Sequence, residues 1–481
     1  MTHTRLKLFD DHHPPSSELI DDCVHCGFCL TTCPTYRLWG QEADSPRGRI
    51  YLMKLGLASE VGLNASTISH FDRCLGCMAC LTSCPSGVQY DKLIEATRAQ
   101  IERRFDRPLT EKLFRRLIFA VFPYPGRLRL LALPLWIYQR SGMQKLIRRT
   151  KLLSLLPIRL RAMEALSPTV SFGGLFPFRF PRPVRRQRAR VRVSLSLQPA
   201  PSPQPSPGVP GEGAGGSEAI AAPILAVPAP LRVGLVLGCV QRVFFNDVNE
   251  ATARVLQAEG CDVIVPPGQG CCGALMTHSG EEAMAIAFAR RTIDAFEAAN
   301  VDVIAINAAG CGSAMKEYGH LLRDDPCYAD RAKKLAAKCR DVSEILVALT
   351  PRATRHPLPI RVAYHDACHL QHAQRVHSQP RALLAAIPGI ELLEIHDAAI
   401  CCGSAGIYNM LQPDAARELG DRKAKNVLET GADAVVSGNP GCTLQLQSSL
   451  NAIGKSMPVL HWVQLLDASI RGAQPADFCH V

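Results

Sequence analysis

Short apolar, β-branched runs alternate with longer stretches of helical period through the second half of the chain. LRVGLVLGC ends at Cys239 and VDVIAINAAGC at Cys311; further on, IRVAYHDAC ends at Cys368 and ADAVVSGNPGC at Cys442. Each run reads as a buried strand, and stretches such as AFARRTIDAFEAA read as the helices between them. That alternation predicts α/β units with a mostly parallel sheet. Adjacent cysteine pairs sit within the same frame, Cys271 and Cys272 in GQGCCGAL and Cys401 and Cys402 in AAICCGSAG. The four cysteines of one copy recur in the other at offsets of 129, 130, 130 and 131 residues, which is the signature of an internal duplication. Upstream the pattern changes. Residues 101–166 interleave arginines with Leu117, Ile118, Phe119, Phe122, Leu130, Leu131, Trp136 and Ile137, and read as basic amphipathic helices. Residues 199–216, PAPSPQPSPGVPGEGAGG, lack any aromatic side chain and predict a disordered or extended linker.

These shifts divide the 481 residues into a cysteine-rich unit over 1–100, basic helices over 101–166, a Pro/Arg/Gly-rich linker over 167–230, and two repeats over 231–350 and 351–481. The expected fold class is α+β multidomain, with a helical N-terminal unit followed by two α/β repeats. Twenty cysteines would suggest disulfides in a secreted protein, but the start MTHTRLKLFDDHHPP has no apolar run resembling a signal peptide. A reducing cytoplasm and metal thiolates are expected instead. Between Arg116 and Arg127, and again between Arg129 and Arg140, ten residues are uncharged; both stretches are too short to span a bilayer. Residues 101–200 carry 22 Lys and Arg against 4 Asp and Glu in a chain whose net charge is +11. Such helices could lie on an anionic membrane surface, cover a partner protein, or simply present solvated arginines. Nucleic acid is not expected, because nothing resembles a groove-reading module.

The densest chemistry lies near the start. Cys23, Cys26, Cys29 and Cys33 precede Pro34, and Cys74, Cys77, Cys80 and Cys84 precede Pro85, each spelling C-x₂-C-x₂-C-x₃-C-P. This is the bacterial ferredoxin run, in which three thiolates wrap one cluster and the fourth reaches the other. The spacing predicts two 4Fe-4S clusters, one on Cys23, Cys26, Cys29 and Cys84, the other on Cys74, Cys77, Cys80 and Cys33. Zinc also binds C-x₂-C pairs, but two complete runs with their prolines disfavour it.

In the repeats, neighbouring side chains of an extended chain point to opposite faces, so a cysteine pair can serve one centre only where the backbone bends. Gly273 and Gly403 supply that freedom. Cys239, Cys271, Cys272 and Cys311, and likewise Cys368, Cys401, Cys402 and Cys442, should gather where strands end, as further cluster ligands or redox thiols. Cys261, Cys327, Cys339 and Cys479 have no counterpart and read as structural. Gly268, Gly270 and Gly273 match G-x-G-x-x-G, but prolines interrupt the approach and the sister copy lacks the first two glycines. His365, Cys368, His369 and His372 look like a zinc group at helical spacing; because Cys368 aligns with Cys239, where no histidines follow, packing or proton handling is the preferred reading.

The twin runs, the segment ADSPRGRIYLMK over 43–54, and the two Cys-Cys-Gly repeats together resemble the iron-sulfur subunit of bacterial glycolate oxidase over essentially the whole chain except the linker. The resemblance implies a subunit without a substrate site of its own in a membrane-associated oxidoreductase, on the cytoplasmic face of the inner membrane. Flavoprotein partners, which hold FAD, would oxidise glycolate to glyoxylate, and this subunit would relay the electrons. The iron-sulfur subunits of anaerobic glycerol-3-phosphate or D-lactate dehydrogenases are alternatives. The repeats also resemble those of heterodisulfide reductase, whose pattern ends in C-x-x-C. Here Ala314 and Gln445 stand at the final position, so a non-cubane cluster is not implied, and a cubane cluster or a dithiol pair remains open.

Overall fold

A computed structural model describes residues 7–150, 152–170 and 230–477. The linker expected over 167–230 lies outside the described residues apart from its two ends, as does Cys479.

The N-terminal unit is helical because its cysteine loops leave no room for extended pairing and its caps are well chosen. Ser45 accepts from the Gly48 amide at 3.0 Å and Pro46 occupies the first turn, so Pro46–Leu57 forms one continuous helix. The polar stretch over 59–69 is likewise half helical: Asn64 caps Ala65–Asp72 through the Thr67 amide at 3.0 Å. Both helices and Tyr90–Arg104 bury Ile50, Met53, Ile68, Phe71, Leu93 and Ile94 in a core that also takes in Cys74 and Cys80.

Gly48 is fixed by packing. A Cβ there would lie 1.9 Å from the Glu42 carbonyl oxygen, so the helix can approach the Glu42–Asp44 turn only if this residue is glycine. Alanine normally favours a helix interior; here Gly48→Ala is expected to destabilise the protein by about 2 kcal/mol through overpacking, read as a lowered Tm in anaerobic thermal denaturation.

Each repeat is a four-stranded parallel sheet. In the first, β1 (Arg232–Leu235), β2 (Asp262–Ile264), β3 (Val303–Ile306) and β4 (Cys339–Asp341) lie in the order β2-β1-β3-β4. In the second, β5 (Ile360–His365), β6 (Ile390–Glu394), β7 (Ala434–Ser437) and β8 (Val459–His461) repeat that order as β6-β5-β7-β8. Val233 pairs with both Val263 and Val303, and its counterpart Val362 with Leu392 and Ala434.

The copies do not stand apart. Val233, Leu235, Val362, Val436 and Trp462 belong to one buried core spanning both sheets. Arg254 grips Asp467 with two bonds of 2.8 Å, a bidentate pair across the repeats. Where β3 and β7 end, the Ala309 amide donates to the Gly438 carbonyl at 3.0 Å and the Gly310 amide to Asn439 Oδ1 at 3.3 Å. The carboxyl ends of the two sheets therefore meet, which brings the loops carrying the repeated cysteines face to face.

Candidate functional site

In the twin runs the backbone turns left-handed at matching places. His25 and Gly27 have φ of 55° and 89°, Gly76 and Met78 have φ of 64° and 61°, so the second and fourth residues after the first cysteine of each run are bent alike. Alternation of this kind turns amide groups inward and builds an anion-binding concavity. The Gly76 amide accordingly donates to Cys74 Sγ at 3.4 Å. His25 and Met78 are not glycines, and left-handed backbone at such residues marks a constrained site.

Thiols of the two runs lie close to one another. Cys84 lies close enough to Cys23 to raise its pKa, after burial, and the space beside Cys23, Cys26 and Cys29 is lined by Cys84 as well. Cys33 lies near enough to raise Cys77 and Cys80, after burial, and also Cys29 of its own run. Burial lifts Cys29 to about 11, and burial with neighbouring sulfurs pushes Cys77 and Cys80 well above the ordinary thiol range. Cys74 runs the other way: burial raises it, but the guanidinium groups of Arg49 and Arg98 outweigh that and hold it below. Sulfurs crowded this closely are suited to a metal centre, because the metal's positive charge deprotonates them and offsets the mutual repulsion of the thiolates. The donor set fits iron-sulfur clusters on this ground. Exposure is graded, with Cys26 at the surface and Cys33, Cys74, Cys77 and Cys80 buried.

The repeats assemble two further thiol quartets. Cys271 is driven well above the usual range by Cys239 and Cys272, while Cys272, approached by Cys271 and Cys311, is drawn well below it. The second copy matches: Cys401 is raised by Cys368 and Cys402, and Cys402 is lowered by Cys401 and Cys442. Cys368 and Cys401 bring their sulfurs to 3.9 Å. The bends that make this possible are at Gly273 and Gly403, with φ of 86° and 89°. Only a single turn, Ala274–Thr277, follows the first pair, where the Ala274 amide helps to lower Cys272, and turns separate the second pair from Tyr408–Leu411. Cys261 is buried in the core between the sheets, Cys339 is buried in the apolar cluster that also holds Cys272, and Cys327 is exposed.

The ferredoxin-like unit docks on both repeats, through Arg98 and His13 on the first and with its Cys77 loop against the second. Cys368 is the sulfur that most disturbs Cys77 after burial, and both belong to one buried cluster with Cys401. His369 Nε2 lies 2.9 Å from the Gly76 carbonyl, His372 Nδ1 lies 2.8 Å from Thr82 Oγ1, and Arg98 joins the carbonyls of Cys74 and His278. His369 and His372 thus each hold backbone carbonyl or hydroxyl partners in the interface. Residues of both quartets, including Cys239, Cys271, Cys368 and Cys442, line a cavity of about 460 Å³ roofed by Phe122, Leu128, Leu135 and Met163 from the basic helices. Missed by the sequence reading were Arg49, Arg98 and the pairing of His365 with Cys402 and Cys442; only Arg49, inside ADSPRGRIYLMK, carried any signal.

Three family profiles match this layout: "4Fe-4S dicluster domain" over residues 19–88, "Glycolate oxidase iron-sulfur subunit, linker region" over 110–167, and "Cysteine-rich domain" over 233–316 and 362–447. The "Probable glycolate oxidase iron-sulfur subunit" of Bacillus subtilis (strain 168) is 37% identical over 451 residues, covering 92% of this chain and 93% of that protein. The "Glycolate oxidase iron-sulfur subunit" of Escherichia coli (strain K12) is 34% identical over 467 residues, 95% of each chain. "Lactate utilization protein A" of Halalkalibacterium halodurans is 29% identical over 238 residues, 49% of this chain and 97% of that one.

Proposed function

Because the chain belongs to the family of glycolate oxidase iron-sulfur subunits, we propose that it draws electrons from a flavoprotein partner that oxidises glycolate to glyoxylate. The iron-sulfur electron-transfer role and the 4Fe-4S clusters come with the family. In this reading Cys23, Cys26, Cys29 and Cys84 hold one cluster and Cys74, Cys77, Cys80 and Cys33 the other. One-electron carriage is what such clusters supply when bound.

The observation that carries the reading is the unbroken succession of sulfur groups from the surface inward. Cys26 is exposed beside Val24 and Phe28, which are 69% and 65% exposed, a small apolar patch suited to a partner subunit. Cys77 is buried against Cys368, so the deeper donor set adjoins the second repeat. The chain's own residues fix this order: Arg98 ties the Cys74 loop to His278, and His369 ties the next peptide to the repeat. The test is anaerobic purification of the native complex, with the visible iron-sulfur absorbance followed on adding glycolate, D-lactate or glycerol 3-phosphate. Bleaching by glycolate first is expected. Bleaching by another donor first, or by dithionite alone, would reassign the dehydrogenase.

The basic helices support peripheral attachment to the cytoplasmic face of the inner membrane. No helix among the described residues is long and apolar enough to cross a membrane. Leu109–Val121 and Pro125–Arg140 leave Leu109, Leu113, Leu117, Leu130 and Leu131 exposed among Arg116, Arg127 and Arg140. Apolar side chains inserting at the headgroup boundary, with arginines on anionic lipid, give binding sensitive to salt. A Leu113→Glu, Leu117→Glu double variant is expected to lose at least about tenfold in co-sedimentation with vesicles containing anionic lipid, each leucine contributing roughly 1 kcal/mol or more.

A further inference from the structure

The duplication is not symmetric at the cysteine quartets. β5 ends at His365, three residues before Cys368; in the first copy the same place, three residues before Cys239, is Val236. Val236 packs in an apolar cluster with Cys272. His365 is equally buried, at 1%, and neither ring nitrogen makes a hydrogen bond of regular geometry; the Cys402 thiol is the polar group against which the ring sits. An imidazole held out of water without such a bond is costly, and such a group calls for a ligand.

The other buried histidines nearby each engage at least one ring nitrogen, although Nδ1 of His369, like Nδ1 of the neighbouring His278, is without a partner. His369 Nε2 is 2.9 Å from the Gly76 carbonyl, His372 Nε2 is 3.0 Å from the Ala399 carbonyl, and His461 Nε2 is 2.9 Å from the Asn307 carbonyl. His365 instead places a ring nitrogen with Cys402 Sγ and Cys442 Sγ, the three donor atoms lying within 4.8 Å of one another, all buried. Two thiolates and an imidazole are the donors that zinc and iron accept. Cys368 and Cys401, 3.9 Å apart, stand beside them to complete the coordination. In the register of the sheet His365 pairs with Ser437, whose hydroxyl is also buried and unpartnered. A ligating histidine commonly offers its second nitrogen to such an outer group, which fixes the ring.

We propose that the second repeat holds a metal centre in which His365 is a ligand beside Cys402 and Cys442, so that the two repeats differ in kind: the first offers thiols alone, the second thiols and an imidazole. The consequence follows from charge. With the four thiols of this repeat His365 makes a fifth donor; a four-ligand centre that uses the neutral imidazole leaves one thiolate out and is less negative than an all-thiolate one, and in iron-sulfur centres this raises the reduction potential. If the metal is iron, the second repeat is the more oxidising of the two and holds an electron in preference to the first. The site does not depend on glycolate being the donor; it would stand in a complex fed by another hydroxy acid.

The test uses the full chain, purified anaerobically and supplied with iron and sulfide or with zinc, in wild type and in His365→Val and His365→Cys. Valine is what the sister repeat carries at this place, so that variant is compatible with the fold; cysteine restores a soft donor. Wild type with iron is expected to show, after partial reduction, the ¹⁴N coupling of a directly bound imidazole in pulsed EPR. His365→Cys should keep the metal and lose that coupling, and His365→Val should lose the metal to a chelator at least about tenfold more readily. If the metal retained through purification is zinc, the chelator difference and an imidazole signature in the zinc absorption edge carry the same conclusion. Absence of an imidazole signature in the wild type with either metal would overturn the proposal, as would equal metal content and spectra in wild type and His365→Val. Failure of glycolate to bleach the complex would leave these readouts untouched.

Discussion

Serine at Cys77 is expected to cut substrate-driven dye reduction by the assembled complex by at least about 100-fold, with iron content falling by up to roughly half as one cluster is lost. The position is the reason. Cys77 is buried, faces Cys33 within its own donor set, and is the thiol that touches the second repeat at Cys368. A serine hydroxyl is of similar size, so the fold has little reason to change, but it does not ionise as a thiol does and is a poor ligand for iron. Cys327→Ser is the control, since that thiol is exposed and belongs to neither ladder nor quartet. Assembly should be checked by size-exclusion chromatography before activity is compared. Full dye-reducing activity in an assembled Cys77→Ser complex would mean that electrons bypass this donor set, and the succession from Cys26 to Cys368 would have to be abandoned.

Much of this succession was legible in the sequence, for a physical reason. Ligand spacing in a tight loop is a local property, so C-x₂-C-x₂-C announces its chemistry without knowledge of the fold. The repeat was legible because four cysteines kept register over 129 to 131 residues, although the strands they follow are only three to six residues long. What the sequence could not give is contact between distant segments. Gly76 and His369 are 293 positions apart and Thr82 and His372 are 290 apart, so the docking of the N-terminal unit on the second repeat leaves no periodic trace. His365 is the clearest case. Read along the chain it groups with Cys368, His369 and His372 at helical spacing; in the fold, the turn after β5 sends those two histidines to backbone carbonyls and leaves His365 with Cys402 and Cys442. Sequence neighbours were the wrong neighbours.

The segment ADSPRGRIYLMK shows a second kind of limit, since its residue pattern was visible and its purpose was not. Asp44 and Arg49 are both wholly buried, 3.6 Å apart. Arg49 Nε donates to the His70 carbonyl at 2.6 Å and Nη2 to Thr35 Oγ1 at 3.2 Å, while Asp44 also meets His70 at 2.9 Å and Arg73 at 2.9 Å. Arg49 is therefore held by neutral acceptors on one side and offers its charge to the Cys74 and Cys33 sulfurs. Arg49→Met should act twice. Removing one partner from a buried charged network costs about 3 kcal/mol, at the low end of the usual range because His70 and Arg73 remain with Asp44. It should also move the midpoint potential of the centre on Cys33, Cys74, Cys77 and Cys80 to more negative values by on the order of 100 mV, because the reduced state carries the extra electron and loses a nearby positive charge. Arg49→Lys keeps the charge without the planar fork, so it should recover most of the potential and little of the stability. Thermal denaturation and an EPR-monitored redox titration of the three proteins separate the two effects. A lowered Tm with an unchanged potential in Arg49→Met would make Arg49 a structural residue only, whereas a potential that follows charge and a Tm that follows geometry would assign it both roles.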